Sequence, residues 1–516
     1  MATTAVLGID VGTSSVKAGL YTLEGGPLAV AAVPVALDRA ADGAVTQDLD
    51  GLYAAAAQAT QAALAKAGLA PGAVAAMAID GQMAGLSLVD GSHRPVVPYD
   101  SWLDSRCSAV LERIGPDLAR RILLGSGCAP TISGGPKMAW WARYRPAVMA
   151  QTAKFTTAGG YVAGKAVGLS GDQAFVDPTY LHFLSVSDNA AGGWDPSLAD
   201  ALGVPQRALP RVVPCSEVVG GLTPAAAVDF GLPAGLPVAA GCGDTAAAAA
   251  GAGVTQPGQA FDVAGTAAVL GVHVARFVAD PTATLLTMRS PLGQGFYALA
   301  YVGGAGEIID WLTRAVLGHV VADDAAYAEL AALAPQAPPG SDGLIASPHF
   351  SGRICPAAPA MRGTYLNLSP VHGRAHLVRA VLEAIAYEYR GYAEAALHLA
   401  GADSLSEIIA MGGGTKLPAW NGIKATVLGA PYRPLSGVEA GTRGAAMVAI
   451  AALGEPVPGV AADRFGPAAQ PEAALAGLYQ TAYQTYRGWT DRLAAGYAAA
   501  APAAAATQSE PEEPNV

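Results

Sequence analysis

The sequence predicts an α/β fold in which two related domains face each other across a cleft. Two stretches support this, because each reads as an apolar strand, a Gly-Thr turn and a second apolar strand: GIDVGTSSVKAGLYT and FDVAGTAAVLGVHV. A chain of 516 residues is also too long for a single hydrophobic core. We expect domains over 1–250 and 251–455, a helical extension over 456–498, and a disordered Ala/Pro-rich and then acidic tail over 499–516.

Hydrophobic periodicity predicts the individual elements in order. Apolar runs indicate strands over residues 5–9, 16–23, 27–37, 74–79, 236–240 and 408–411, and a strand–turn–strand unit over 259–274. Helical spacing indicates helices over residues 48–66, 373–399, 420–428, 441–453 and 472–498. Residues 241–245 are expected to form a turn between the strand at 236–240 and an Ala-rich helix.

Composition and charge argue against several classes of protein. The net charge of −11 disfavours a nucleic-acid partner, because phosphate backbones select basic surfaces. Mean hydropathy is +0.33, but the longest apolar runs fall short of the roughly 20 residues of a membrane span, and the N-terminus does not resemble a signal peptide. The five Cys residues lack C-x-x-C spacing, which argues against a zinc site. We therefore expect a cytoplasmic protein without a membrane partner.

The segment DVGTSSVK, from Asp10 to Lys17, is the first candidate site. Backbone amides and the hydroxyls of Thr13, Ser14 and Ser15 suit a phosphate nest. Asp10 at a strand end suits Mg²⁺ binding, directly or through water, and Lys17 suits a terminal phosphate. The alternative is an ordinary polar hairpin turn, since the same residue types favour turns.

Three further segments carry candidate chemistry. Asp244, between a buried strand and a helix, is a candidate base that takes a proton from an attacking hydroxyl; a helix N-cap is the alternative. Gly265 and Thr266 form a second candidate phosphate loop or a plain turn. The glycines at 412–414, followed by Trp420 and Lys424, allow the backbone to lie close to a nucleotide base or ribose. The alternative is a helix C-cap or a packing contact.

Other motifs are missing from the sequence. His372 and His376 lack the intervening Glu of H-E-x-x-H, so a capping or surface role is favoured. There is no P-loop, no strand-led G-x-G-x-x-G and no G-x-S-x-G elbow. A hydrolase or oxidoreductase therefore lacks its usual signature.

Taken in order, the motifs resemble the FGGY carbohydrate kinase family, and within it the xylulokinases. GIDVGTSSVKAGL is similar to the first phosphate motif, GCGDTAAAAAG to the motif with the catalytic Asp, and GTAAVLG to the second phosphate motif. MGGGTKLPAWNGIKATVLGAP resembles the adenosine signature, and GQMAGLSLVD with WLDSR resembles the sugar-contacting segments.

The resemblance implies two ribonuclease H-like domains, of the actin/Hsp70/hexokinase type, that close around a sugar and Mg-ATP. The first domain would bind sugar and phosphates and the second adenosine, and a homodimer is compatible with the family. Asp244 would be the base and Asp10 would assist Mg²⁺ and catalysis. The implied ATP contacts are Thr13, Ser14, Ser15, Lys17, Thr266, Gly306, Asp310, Gly413 and Gly414. The implied sugar contacts are Gln82, Met83, Ala84, Trp102, Asp104 and Thr245.

Three departures from the xylulokinase pattern affect the expected substrate. Ala84 stands where xylulokinases usually carry His, and Leu103 where they often carry Asn or Ser. The adenosine motif has KAT where the family often has AD. The loss of this hydrogen-bond donor is expected to change substrate preference. D-xylulose remains the first expected substrate, and other pentuloses, hexuloses, tetruloses, tetritols and gluconate-like acids are the alternatives. A weakly catalytic, regulatory ATP-binding relative is the alternative from another class.

Overall fold

The computed structural model describes residues 4–265, 268–293, 295–321 and 323–500. Its strands, in chain order, are β1 Ala5–Val11, β2 Ser15–Thr22, β3 Pro27–Pro34, β4 Asp38–Arg39, β5 Val45–Gln47, β6 Val74–Gly81, β7 Ser87–Val89, β8 Tyr99–Asp100, β9 Lys154–Thr156, β10 Phe175–Val176, β11 Ser187–Asp188, β12 Gly193–Trp194, β13 Arg211–Val212, β14 Val218–Gly221, β15 Pro237–Gly243, β16 Gln259–Ala264, β17 Ala268–Val274, β18 Leu286–Arg289, β19 Phe296–Val302, β20 Ile345–Ser347, β21 Thr364–Leu366, β22 Glu407–Met411 and β23 Tyr432–Pro434.

The α-helices of the described residues are α1 Leu49–Ala67, α2 Ser108–Leu111, α3 Pro116–Ser126, α4 Gly134–Tyr144, α5 Pro146–Gln151, α6 Ala158–Val167, α7 Pro196–Leu202, α8 Pro224–Phe230, α9 Asp244–Gly251, α10 Ala305–Trp311, α11 Asp324–Leu333, α12 Arg374–Ala400, α13 Pro418–Leu428, α14 Ala440–Ala452 and α15 Ala476–Ala500. A π-helical segment, Leu312–Val316, continues α10. Among these residues, no helix is both long and apolar enough to cross a bilayer.

Two six-stranded sheets repeat the same arrangement. The first has the order β14-β15-β6-β1-β2-β3, and the second has the order β18-β19-β17-β16-β22-β23. Each sheet contains an antiparallel hairpin, β1–β2 or β16–β17. The first strand of the hairpin also pairs, on its other side, with a parallel strand: β1 with β6, and β16 with β22. This repetition confirms the prediction of two related α/β domains, which rested on two similar strand–turn–strand segments.

Local sequence determines where the first long helix begins and ends. The Asp48 side chain caps α1 by accepting a hydrogen bond from the Asp50 amide at 3.1 Å. Gly68 ends the helix in the left-handed conformation, with φ of 64°. Ten side chains of α1 are buried, and they pack against the first sheet and α8.

Three predicted boundaries are wrong. β15 continues through Gly243, because its end pairs with β6 rather than turning away. Gly241, with φ of 83°, forms the irregularity that permits this, since a Cβ there would lie 1.7 Å from the Ile79 carbonyl oxygen. The strand predicted over 27–37 ends at Pro34, and Ala499 and Ala500 belong to α15 rather than to the tail. Residues 501–516 of the predicted tail lie outside the described residues.

Helix α14 connects the two halves of the chain. It follows the second sheet in sequence but packs on β1, β6 and α9 of the first half. The α9–α14 contact is close because both helices carry glycine where they meet. A Cβ on Gly444 would lie 1.9 Å from the Ala247 carbonyl oxygen, and one on Gly251 would lie 1.9 Å from that of Ala440.

We expect Gly444→Ala to lower the thermal unfolding midpoint. Forcing a methyl group against backbone atoms costs about 1–3 kcal/mol, which exceeds the gain of about 1 kcal/mol in helix propensity. Gly477→Ala is the matched control, because Gly477 lies in α15 and a Cβ added there would meet no atom within 4 Å. The control should leave the midpoint unchanged or raise it, as followed by circular dichroism. Equal shifts in both variants would contradict the close contact.

Candidate active site

The ends of three neighbouring strands bring carboxyl groups to one edge of the first sheet. β1, β6 and β15 are parallel neighbours, and their register places Asp80 beside both Asp10 and Cys242. Asp244 follows β15 directly as the first residue of α9. Open α/β sheets bind ligands at the carboxyl ends of their strands, so this edge is the natural place for chemistry.

Asp244 has the electrostatic properties of a group that exchanges a proton near neutral pH. Burial and the negative charge of Asp10 raise the pKa of Asp244 to about 7, against the hydrogen bonds from Thr245. The Thr245 amide and hydroxyl donate to Asp244 Oδ1 at 2.5 and 3.1 Å. The N-cap of α9 is Gly243, so Asp244 is not the capping residue.

Lys17 connects the first hairpin to the start of α14. Its Nζ lies 3.2 Å from Asp10 Oδ2 and 2.9 Å from Glu439 Oε1. Burial alone would lower the pKa of Lys17, but the two carboxylates outweigh it and raise this pKa. Glu439 also caps α14 by accepting from the Thr442 amide at 2.8 Å. Lys17 is thus held as an ammonium at the carboxylate edge.

Asp10 and Asp80 form a tightly packed acidic pair. Burial raises the pKa of Asp10, and Lys17 opposes this rise. Asp80 is fully buried, and burial together with the charges of Asp10 and Asp244 raises its pKa well above the usual range. Asp10 Oδ1 and both Asp80 oxygens have no partner outside the pair, and the contact of the two carboxyls within it raises the pKa of Asp80 and opposes the rise at Asp10. The sequence analysis missed Asp80, because a single Asp at the end of an apolar strand resembles a turn residue.

The donor set at this edge fits a magnesium ion that is shared with a nucleotide. Asp10 Oδ1, which has no partner outside the acidic pair, is a hard oxygen donor of the kind that Mg²⁺ prefers. Within the described residues, no group of three or more His, Cys, Asp or Glu side chains could hold a metal ion alone. This agrees with Mg²⁺ chemistry, in which one or two carboxylates are completed by water and phosphate oxygens.

The predicted phosphate hairpin forms between β1 and β2. The Gly12 amide donates to the Ser15 carbonyl at 3.2 Å and closes the turn, and Ser14 is exposed. The Thr13 hydroxyl, in contrast, accepts a hydrogen bond from Trp102 Nε1 at 3.0 Å and donates to Gln82 Oε1 at 3.4 Å. A phosphate contact of Thr13 would compete with these two bonds. Thr266, predicted in the second phosphate loop, lies outside the described residues.

Two of the predicted sugar contacts are already satisfied inside the protein. The Gln82 amide is buried and donates to Gln47 Oε1 at 2.7 Å. Asp104 is buried, accepts from the Val45 amide at 3.0 Å, and pairs with Arg106 at 2.8 Å. The polar groups of these side chains are therefore bound within the protein in this structure. Their direct contact with sugar stays a prediction.

Trp102, Met83 and Ala84, which are also predicted sugar contacts, differ widely in exposure. Trp102 is 47% exposed, and Met83 is buried against Gly243. Ala84 is half-buried and has φ of 60°, a left-handed conformation that is uncommon for alanine. The Ala84 carbonyl accepts a hydrogen bond from Lys137 Nζ at 3.0 Å, which holds this conformation.

Lys137 is a second residue that the sequence analysis missed. It is 1% exposed, and burial lowers its pKa. A lysine inside the apolar segment GGPKMAWW was the available signal, because a buried ammonium needs a specific partner.

A separate cavity of about 320 Å³ lies on the second sheet. It brings together the four predicted adenosine contacts that the structure describes, Gly306, Asp310, Gly413 and Gly414. Gly265 and Trp420, which belong to the candidate segments at 265–266 and 412–424, also line it. Further lining residues that the sequence analysis did not name are Ala264, Glu307, Ile309, Tyr327 and Leu417. The triglycine segment and the start of α10 thus form one pocket, as the resemblance implied.

The chain matches two family models along most of its length. Residues 5–251 match the N-terminal domain of the FGGY family of carbohydrate kinases, and residues 261–453 match the C-terminal domain. A xylulose kinase of Escherichia coli (strain K12) is 28% identical over 429 residues, which cover 82% of this chain and 84% of that protein.

A glycerol kinase of Alkalilimnicola ehrlichii is also 28% identical, over 87% of this chain and 90% of that protein. The crystal structure of xylulose kinase from Rhodospirillum rubrum aligns with a TM-score of 0.85 and 28% identity, over 96% of this chain and 100% of that one. With both domain models matched in order, the chain belongs to the FGGY family of carbohydrate kinases and is a phosphotransferase.

Proposed function

We propose that this kinase phosphorylates a hydroxyl of a ketose, a pentulose similar to D-xylulose, with Mg-ATP as donor and Asp244 as general base. The observation that carries the proposal is the position of Asp244 at the sheet edge of Asp10 and Asp80, where the charges of Asp10 and Lys17 both act on its carboxyl group. Relatives named xylulose kinase favour a pentulose, while the glycerol kinase relative shows that family likeness does not fix the acceptor.

The proposed mechanism assigns a separate task to each group at the sheet edge. Both described hydrogen bonds to the Asp244 carboxylate end on Oδ1, so Oδ2 is available to take the proton of the attacking sugar hydroxyl. Lys17 contacts the phosphates of ATP, and Asp10 holds Mg²⁺ directly or through water. The bound Mg²⁺ supplies neutralisation of phosphate charge, which phosphoryl transfer requires.

The two halves of the chain divide the substrates in this proposal. Residues 1–250 provide the sugar site and the phosphate hairpin, and residues 251–455 provide the adenosine pocket. Closure around both substrates would exclude water, so that the γ-phosphoryl group of ATP is transferred to the sugar hydroxyl, with ADP leaving, rather than to water.

Asp244→Asn should reduce sugar-dependent ADP release by about 10²–10⁴-fold, because the amide cannot take the proton. The ADP dissociation constant should stay within about twofold of the wild-type value. The measurement is a coupled ADP-release assay with Mg-ATP and a panel of pentuloses, hexuloses, tetritols, glycerol and sugar acids.

Asp195→Asn is the matched control for this variant. Asp195 caps α7, where its Oδ1 accepts from the Ser197 and Leu198 amides, and Asn caps helices as well as Asp. The control should keep full activity. Near-normal turnover of Asp244→Asn would refute the assignment of the base. A wild-type protein that binds nucleotide but turns over no sugar in the panel would favour the regulatory alternative.

The rate at low sugar concentration should rise about tenfold per pH unit up to about pH 7 and then level off. Asp244 must be ionised to act as a base, and its pKa is about 7. Stability should change in the opposite direction. Because this pKa is raised in the folded state, ionisation of Asp244 destabilises the fold as pH rises from about 4 to about 7.

The pH profile of wild-type kcat/KM tests the predicted change in rate, and the variant Asp244→Asn tests the predicted change in stability. Asp244→Asn carries no charge at this position, so it should be more stable than the wild type at pH 8 and lose that advantage at pH 4. Thermal unfolding at both pH values measures the difference. A difference in unfolding midpoint that does not depend on pH would show that Asp244 ionises with its ordinary pKa.

Ala84→His should shift the preference toward D-xylulose, with kcat/KM for D-xylulose rising at least about fivefold relative to the other sugars in the panel. The reason is that a hydrogen-bonding side chain in a binding site discriminates strongly between hydroxyl patterns. Ala84→Phe adds a ring at the same strained backbone position without a donor and serves as control. The same shift in both variants, or no shift in either, would count against the hydrogen-bond explanation.

A further inference from the structure

A fully buried ion pair lies beneath the pocket on the second sheet. Lys424 on α13 and Asp262 on β16 both have side chains of zero exposure, and Lys424 Nζ lies 2.5 Å from Asp262 Oδ2. The hydroxyl of Tyr389 donates to Asp262 Oδ1 at 2.7 Å, and that of Tyr432 donates to Oδ2 at 2.5 Å. The carboxylate therefore accepts three hydrogen bonds without any solvent contact.

The Lys424 ammonium has a place for each of its three hydrogens. One points to Asp262, and a second to the Tyr432 hydroxyl, 3.2 Å away. The third direction is covered by the face of the Trp420 ring, whose centroid lies only 3.7 Å from Nζ. A desolvated ammonium over an indole face is a strong cation–π contact. The ion pair therefore fixes the Trp420 ring from one side.

Trp420 forms the wall of the cavity on its other side. Its Nε1 donates to the Leu382 carbonyl of α12 at 3.0 Å, which fixes the ring plane. Gly414 is wedged between Trp420 and Ala264, since a Cβ on Gly414 would lie 2.8 Å from the ring and 2.6 Å from the Ala264 Cβ. Trp420, Gly414 and Ala264 all line the cavity.

A buried ion pair is a costly way to stabilise a fold. Removing two charges from water costs several kcal/mol per ion, and apolar residues of similar volume often serve stability equally well. What the pair provides here is a directional restraint. Lys424 Nζ contacts Asp262 of β16, the Tyr432 hydroxyl and the Trp420 ring. Asp262 is held in turn by the hydroxyl of Tyr389. This restraint ends at the indole ring on which Gly414 rests.

We propose that Lys424 and Asp262 are positioning residues for nucleotide binding: the buried pair holds Trp420 against Gly414 and thereby fixes the pocket wall that receives the adenosine. This inference rests on the proposed assignment of the pocket to the nucleotide. The ion pair is expected to affect the affinity for nucleotide. It is expected to have no effect on sugar binding in the other half of the chain.

Lys424→Met should raise the ADP dissociation constant at least about tenfold, because the ring loses its restraint while the side chain keeps its length. The KM for ATP should rise by a similar factor, whereas the KM for sugar and kcat at saturating ATP should stay within about twofold. Isothermal titration calorimetry with ADP alone, without sugar, gives the affinity independently of turnover.

Arg379→Met is the matched control for a general loss of stability. Arg379 and Glu383 form another buried pair in the same half of the chain, with a 2.8 Å contact, but neither residue lines the cavity. The control should leave the ADP dissociation constant within about twofold, even with an equal fall in unfolding midpoint. An equal loss of ADP affinity in both variants would overturn the inference, because it would show that lower protein stability alone weakens ADP binding.

The double variant Lys424→Met/Asp262→Asn covers the case in which Lys424→Met does not fold. It removes both charges. The asparagine side chain keeps an oxygen that accepts from Tyr389 and places an NH2 group that donates to the Tyr432 oxygen. The folded double variant should still bind ADP at least about tenfold more weakly than the wild type. Wild-type ADP affinity in either folded variant would refute the inference. A wild-type protein that does not bind ADP would instead refute the proposed function.

Discussion

The parallel pairing of β1, β6 and β15 is the constraint on which the site depends, because it forces acidic groups together at one sheet edge. Asp10 and Asp80 are direct neighbours there, and Asp244 directly follows the next strand, β15, as the first residue of α9. Like charges at such distances cannot all be ionised in a poorly solvated place, so the pKa values separate. Among the described residues Lys17 is the ammonium that contacts Asp10, and one cation does not balance this edge. The imbalance favours the arrival of further positive charge with the nucleotide.

Small residues allow the two halves of the chain to meet at this edge. The helix that carries Asp244 packs on α14 through glycine, and α14 begins at Glu439, which binds Lys17. The proposed base Asp244 is therefore connected to Lys17 through the contact of α9 with α14 and through Glu439 at the start of α14. At this junction small residues are a packing requirement. Much of the positive mean hydropathy comes from alanine rather than from long apolar side chains.

The sequence predicted the elements and cavities that depend on local patterns. Strand–turn–strand motifs and helices depend on neighbouring residues, and the structure confirms them with ends shifted by up to about four residues. The adenosine role of the triglycine segment stays a prediction. His376 accepts from the Gly373 amide, as expected of a residue near a helix start. Contacts between distant segments could not be predicted: Glu439 binds Lys17 across 422 positions. The side-chain roles at the two substrate sites stay predictions.

The interior hydrogen bonds of the sugar site also bear on selectivity. Gln82 and Asp104 are occupied by Gln47 and Arg106, so a sugar that lacks a particular hydroxyl leaves neither of them unpaired. Strong discrimination requires that a wrong substrate leave a buried polar group of the protein without a hydrogen-bond partner. With alanine at position 84, the proposed sugar site would select by shape and by the exposed Trp102 ring more than by hydrogen bonding. From this we infer a preference among ketoses that is graded, and that a single polar side chain at position 84 is enough to sharpen.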